Sequence, residues 1–293
     1  MIDSFSVAAA GVHSKPGKTE ENLIGIAGCC RKAAEQGAKL ILLPELSVTG
    51  FIPNHPVGDH SRWLKGALRV ARAIAQPIPG PAVAELTSIA SETGLLIAAG
   101  LLEDAGNLLY NTQVLVGPEG MLGAWRKMHV PMFEMPFYNG GAGPLVAQTG
   151  IARIGANICF DAMLPESTRL LALQNVEVIL FPFAADPSPC TPEGWAAWAG
   201  TTLRVRAMEN GVFGIASNYT GHVECAGAEQ FFPGGALVVG PGGEVIAEWK
   251  GDAGEPFLLL AELRRETLQE ARASFEYTFR FRRPELYGPL ARS

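Results

Sequence analysis

The chain has 293 residues, with 23 Lys and Arg against 29 Asp and Glu for a net charge of −6, and 48% of its residues are hydrophobic. That length holds one large domain or two small ones with a sizeable core, and 18% charged residues of nearly balanced sign exclude a disordered chain. The scattered cations form no block that would mark a nucleic-acid surface, and no apolar run approaches the ~18 residues of a membrane span.

In chain order, apolar runs alternate with amphipathic stretches. Residues 5–11 read as a strand and 19–36 as a helix, with Thr19 as N-cap, Glu20 and Glu21 at the positive end of the dipole and Gly37 as the stop. A β-rich run over 38–43 ends at Pro44-Glu45. Helix 81–94 and strand 95–100 follow, then a hairpin of 108–116 and 121–127 around Gly117-Pro118-Glu119-Gly120. Strand 151–160, helix 165–174, strand 176–181, helix 195–209 and strand 212–217 come next. A second hairpin, 235–249, turns at Gly240-Pro241-Gly242-Gly243, and strand 257–262 leads into helix 263–273. Strands alternating with helices predict an α/β domain of mixed sheets with helices on their faces. No linker divides the chain, so a single domain over 1–293 is expected, with 274–293 as a C-terminal extension packing on the body or a partner subunit.

The cysteines, Cys29, Cys30, Cys159, Cys190 and Cys225, are odd in number and irregular in spacing, which is no disulfide framework. With no cationic leader ahead of the first strand, the expected compartment is cytoplasmic.

Three strand ends carry an ionisable group, where α/β proteins place their sites. Glu45 follows four aliphatics, and partial burial there makes a usable general base. Lys127 closes the first hairpin, where an ammonium can stabilise an oxyanion, and His129 alternates onto its side. Cys159 ends strand 151–160 just before a helix opening at Pro165, a strand–nucleophile–helix turn that aims backbone N–H groups at the space before the thiol. Singly, each has a plain alternative: a surface glutamate, an exposed lysine, an inert core thiol. No His or Cys near His129 has metal-ligand spacing, so no metal is expected. Phe51, Trp63, Phe133, Tyr138 and Trp195 suggest a partly apolar pocket, though aromatics equally fill cores.

Together these strings resemble the nitrilase, or carbon–nitrogen hydrolase, superfamily, whose signature is a Glu–Lys–Cys triad in that order. Residues 33–51 (AAEQGAKLILLPELSVTGF), 125–131 (WRKMHVP) and 158–169 (ICFDAMLPESTR) look like its three motifs, and 204–218, 234–248 and 282–287 like later stretches, so the likeness covers nearly the whole chain. The resemblance implies a four-layer αββα sandwich, often dimerised or assembled further, with no cofactor. It implies Glu45 as general base, Lys127 and the Phe160 N–H as oxyanion donors, Cys159 as nucleophile forming a thioester, and Glu134 as a second glutamate supporting the lysine and substrate.

Nitrile-cleaving members tend to follow the cysteine with Trp-Glu; here Phe160-Asp161 follows, and Lys127, His129 and Pro131 supply a Lys-x-His-x-Pro pattern. Both favour amides or carbamoyl compounds. Several members acting on carboxylated substrates carry an arginine shortly after the cysteine, where this chain has Ala162-Met163-Leu164, so the expected substrate is a small amide, uncharged or weakly charged, releasing ammonia. An N-carbamoyl substrate and then a nitrile are the alternatives within the family. Outside it stand an idle interaction scaffold and a P-loop NTPase built on Gly11–Thr19, whose glycines are separated by five residues instead of four and include Pro16.

Overall fold

The computed structural model describes residues 1–54 and 58–291; the last two residues of the expected extension lie outside the described residues. Along the chain run β1 (Ser4–Gly11), α1 (Thr19–Glu35), β2 (Ala38–Leu42), α2 (His60–Ile74), α3 (Pro81–Thr93), β3 (Leu96–Asp104), β4 (Leu109–Gly117), β5 (Gly120–Arg126), β6 (Ala147–Gln148) and β7 (Arg153–Ala156). They continue with α4 (Pro165–Ala172), β8 (Val178–Phe183), α5 (Pro192–Asn210), β9 (Phe213–Asn218), β10 (Thr220–Cys225), β11 (Ala228–Pro233), β12 (Ala236–Val239), β13 (Val245–Glu248), β14 (Phe257–Arg264) and α6 (Arg265–Ala273).

Side chains alternate across a strand, and here both faces are buried. The order β14-β1-β2-β3-β4-β5 makes one sheet and β13-β12-β9-β8-β7-β6 the other. Val7, Ala9, Leu40 and Leu42 of the first sheet meet Ile154, Val178, Leu180, Phe213 and Ile215 of the second in a core between the sheets. The alternate positions Ala8, Ala10, Ile41 and Ile97 pack under Leu23, Ile26 and Cys30 of α1 and Leu86 and Ile89 of α3. On the far side, Ile179, Phe181 and Phe183 pack under Leu171 of α4 and Trp195, Ala199, Leu203 and Ala207 of α5, a stripe spaced by four. The result is the four-layer αββα sandwich.

Several expectations change in detail. Residue 19 is not the cap of α1: Lys18 holds that position without a side-chain bond, and Asn22 reaches back instead, accepting from Lys15 N at 2.9 Å and donating to Lys15 O and Val48 O. The same loop spends its N–H groups internally, Gly17 N on Thr49 O and Lys18 N on Lys15 O, so it forms no phosphate cradle. Strand 151–160 is cut to β7, because Cys159 takes φ 49° and opens a 3-10 turn over Cys159–Met163. β8 runs through Pro182 to Phe183, two residues beyond the expected end, since the missing N–H faces the side where β7 has already stopped.

Helix α2, the short strand β6 and the β10–β11 hairpin go beyond the elements read from the sequence. Helix α2 opens on Asp59, whose side chain accepts from Arg62 N, and buries Trp63, Ala67, Ala71 and Ile74. The β10–β11 hairpin adds Val223, Ala228 and Phe232. Helix α2 and this hairpin close over Phe51, Phe137, Tyr138 and Tyr219 in a third core at one end of the sheets. In the C-terminal extension, the Tyr277 hydroxyl donates to Asn210 O at the end of α5, and Arg169 of α4 lies over the Phe279 ring. No helix among the described residues is long and apolar enough to cross a membrane.

Candidate active site

Glu45, Lys127 and Cys159 leave the C-terminal ends of β2, β5 and β7, and the sandwich gathers all three at one end. Glu45 sits in a turn that the first sheet grips from several sides. Leu43 N donates to Ala98 O and Val48 N to Gly100 O, both at 2.8 Å, while Gln113 Nε2 of β4 donates to Leu43 O. Leu46, immediately after the glutamate, is held at φ 53°, a left-handed conformation that costs a branched residue on the order of 1–3 kcal/mol and persists only where the surroundings fix it. Gly100 permits the close approach: a Cβ there would lie 2.2 Å from Leu46 N and 3.0 Å from the Glu45 carbonyl carbon.

Lys127 is 0% exposed, as is Glu45. Its Nζ donates to Glu45 Oε1 at 2.8 Å and to Glu134 Oε2 at 2.7 Å. An ammonium in such a place requires this pairing, because an unpaired buried charge is far too costly. Burial works against its charge, yet the Glu134 and Glu45 carboxylates outweigh burial and hold the Lys127 ammonium above its ordinary value. Burial pushes the Glu134 carboxyl up to about 7, against the pull of Lys127. Two of the three N–H bonds of Lys127 are thus placed on carboxylates.

Cys159 is half-buried. Burial, and then the Glu45 carboxylate, push its thiol well above the ordinary range, more than Lys127 lowers it, and the Ala184 backbone hydrogen-bonds its sulfur. Cys159 therefore rests as a thiol. Nearby, Glu45 Oε1 accepts from Lys127 and from Asn111 Nδ2 at 2.6 Å, while Oε2 is buried and has no hydrogen-bond partner. Phe160 follows the nucleophile, and its N–H precedes the first bond of the turn, Asp161 N to Ile158 O.

Sequence reasoning passed over two residues. Asn111 grips Glu45 with its side chain, while its backbone oxygen accepts from Lys127 N at 2.8 Å. Asp161, 1% exposed, ties the nucleophile turn to the strand after Lys127: Oδ1 accepts from His129 N at 2.8 Å, and Oδ2 from Ile158 N at 3.1 Å and Met128 N at 3.2 Å. The signal for Asn111 was present in Asn111-Thr112-Gln113, polar residues on an otherwise apolar buried strand.

The pocket residues fare unevenly. His129 lies near the site, but its Nδ1 pairs with Asp161 Oδ1 at 2.9 Å, which makes it a brace of the Asp161 link. Phe51 is wedged edge-on against Tyr219 and Phe232 in the third core. Tyr138 is buried within reach of the charges of Glu134, Glu45 and Lys127. Phe133 is largely exposed on the loop between Lys127 and Glu134. Trp63 packs on Phe137, and Trp195 lies under Gly235 in the outer core, away from the mouth. Among the described residues no three His, Cys, Asp or Glu side chains gather as a metal cage.

The sequence model of the carbon–nitrogen hydrolases matches residues 6–273. The chain belongs to the carbon–nitrogen hydrolase family. It is 35% identical over 219 residues to a nitrilase of Pyrococcus abyssi, covering 74% of each chain. It is 33% identical over 273 residues to an N-carbamoylputrescine amidase of Solanum lycopersicum, covering 89% of this chain and 86% of the relative. Among solved structures, a carbon–nitrogen hydrolase from Helicobacter pylori G27 superposes with a TM-score of 0.80 over 99% of both chains at 22% identity, a likeness of fold. An amidase from Nesterenkonia sp. superposes with a TM-score of 0.73 at 25% identity, over 97% of this chain and 95% of that one. This carbon–nitrogen hydrolase is therefore an enzyme of C–N bond cleavage with the fold its sequence implied.

Proposed function

We propose that Cys159, Glu45 and Lys127 hydrolyse a small primary amide through a thioester, releasing ammonia. The observation that carries this reading is the division of labour on Glu45, with Oε1 anchored by two donors and Oε2 buried without a hydrogen-bond partner, in a carboxylate whose charge acts on the Cys159 thiol. Glu45 Oε2 takes the thiol proton as sulfur bonds to the carbonyl carbon. The free N–H of Lys127 and the N–H of Phe160 take the charge that develops on oxygen. The C–N electron pair then leaves on nitrogen, which receives the proton from Glu45. Water, deprotonated by Glu45, attacks the thioester, and the acid departs with the thiol restored. Glu134 keeps Lys127 charged and in place.

Nothing positive is carried by the residues just after the nucleophile, where Ala162 is buried and Met163 half-buried, which supports an uncharged amide over a carboxylated one. The likeness to N-carbamoylputrescine amidase supports a second reading, a carbamoyl compound, which the same steps would cleave. A panel of amides, carbamoyl compounds and nitriles assayed for ammonia tests both: carbon dioxide released in step with ammonia marks the carbamoyl case, and a strong preference for a carboxylated amide overturns the uncharged one.

The partner is a second copy of the chain, on the outward sides of α4 and α5, where Leu170, Leu173, Trp198, Val205 and Met208 are exposed. A nucleophilic thiol and four further free cysteines suit a reducing compartment, the cytoplasm.

A further inference from the structure

Beside Glu45 lies a second buried acceptor that the mechanism above does not use. Asn111 is 1% exposed, and its Nδ2 donates to Glu45 Oε1 at 2.6 Å. A carboxamide facing a carboxylate can only present its N–H₂ group to it, so the oxygen of Asn111 is turned to the other side. That oxygen, Oδ1, is buried and has no hydrogen-bond partner, as is Glu45 Oε2. Two neighbouring groups, joined through their inner atoms, thus each keep one buried acceptor without a partner, beside the Lys127 ammonium and within electrostatic reach of the Cys159 thiol. A buried acceptor left empty is costly, and such groups in folded proteins are normally satisfied by protein, water or ligand.

We propose that Asn111 is a substrate-binding residue: its Oδ1 accepts an N–H of the leaving nitrogen and holds that nitrogen against Glu45 Oε2. The assignment rests on the amidase reading of Cys159, Glu45 and Lys127 and specifies its substrate class as compounds ending in –CO–NH₂. One hydrogen of the –NH₂ group goes to Asn111 Oδ1, and the nitrogen lone pair is left to face the protonated Oε2. When the tetrahedral intermediate collapses, the C–N pair stays on nitrogen, the Glu45 proton joins it, and ammonia forms with its N–H still held by Asn111. An ester offers no N–H at its leaving atom, a nitrile has none at all, and a dialkylated amide has lost both. Asn111 therefore favours primary amides over esters of the same acid, a selection that Glu45 and Lys127 alone do not make.

The two functions of Asn111 separate experimentally. Anchoring Glu45 matters for any acyl substrate, whereas accepting an N–H matters only for an amide. The full-length enzyme and Asn111→Leu are assayed with a primary amide and the methyl ester of the same acid, with Asn111→Ala as the alternative should the leucine variant fold poorly by circular dichroism. Removal of one hydrogen bond to the leaving nitrogen is worth about tenfold in rate. The kcat/KM for the amide is expected to fall about tenfold further than that for the ester, with the excess mostly in kcat. Equal losses for the two substrates, or no loss for either, would overturn the assignment. Equal losses would still leave the Cys159 chemistry standing, because the wild-type enzyme would release ammonia; a wild type inert to every amide would sink both.

Discussion

Glu45 has its two oxygens in different states, and substitutions around it should separate them. Glu45→Gln cannot take a proton, so acylation should stop, with kcat down at least ~10³-fold while the amide still binds; retention of the rate in a stopped-flow acylation assay would remove Glu45 from the mechanism. In the proposed mechanism Glu134 acts through Lys127. Its carboxyl is pushed up to about 7 by burial, so acidification below that value protonates it and frees the ammonium from one of its anchors. The kcat/KM for a neutral amide should therefore rise with pH through a limb near pH 7, and Glu134→Gln should flatten that limb as it lowers activity; an unchanged limb in the variant would assign it to another group. The three residues proposed as a triad stand at or just past strand ends, a placement readable without knowing what faces them. For Asn111 only its polarity on a buried strand was readable, and for Asp161 not even that, because their partners lie 66 and 32 residues away and only the fold brings them close.

Helices, strands and turns hold these groups through a few contacts that single substitutions can break. Gly100 of β3 lies against the Glu45 turn, where an added methyl would meet Leu46 N at 2.2 Å. Backbone cannot yield there without moving the glutamate, so Gly100→Ala should cut kcat at least tenfold with a native far-UV spectrum. An alanine variant with full activity would show that the turn has slack. The Asp161 link has its own pH dependence. The hydrogen bond to Asp161 raises the pKa of His129, so the folded state binds the proton more tightly than the unfolded chain. Its contribution is fully present below about 6.5, the ordinary value, and is lost as pH rises through the raised folded value. His129→Gln should accordingly lower Tm more at pH 6 than at pH 9, and equal shifts at both would deny the link. Helix α2 was passed over although its pattern was readable: Trp63, Ala67, Ala71 and Ile74 recur at helical spacing with Arg62, Lys65, Arg69 and Arg72 between them, and Asp59 offers a cap. The β10–β11 hairpin escaped for a different reason, because Thr220–Cys225 mixes Gly, His and Glu into the strand and stands outside both large sheets.

For the whole molecule, two six-stranded sheets buried face to face fix the distances between strand ends, which is how residues 45, 127 and 159 come within electrostatic reach of one another. The outer helical layer of the second sheet has a different character: α5 is apolar inward and, at Trp198, Val205 and Met208, outward as well. Trp198→Glu with Met208→Glu should shift the sedimentation coefficient from dimer to monomer, and a monomeric wild type would remove the second copy from the account. The central claim concerns a bond, between the sulfur of Cys159 and the acyl group of an amide. Rapid quenching of enzyme with excess primary amide, followed by mass spectrometry of the intact chain and its peptides, observes that bond directly. The predicted result is a mass gain equal to the amide less ammonia, located on the peptide bearing Cys159, formed in step with one equivalent of ammonia and absent in Cys159→Ala. An ammonia burst that survives in Cys159→Ala, or an acyl group on any other residue, would contradict it.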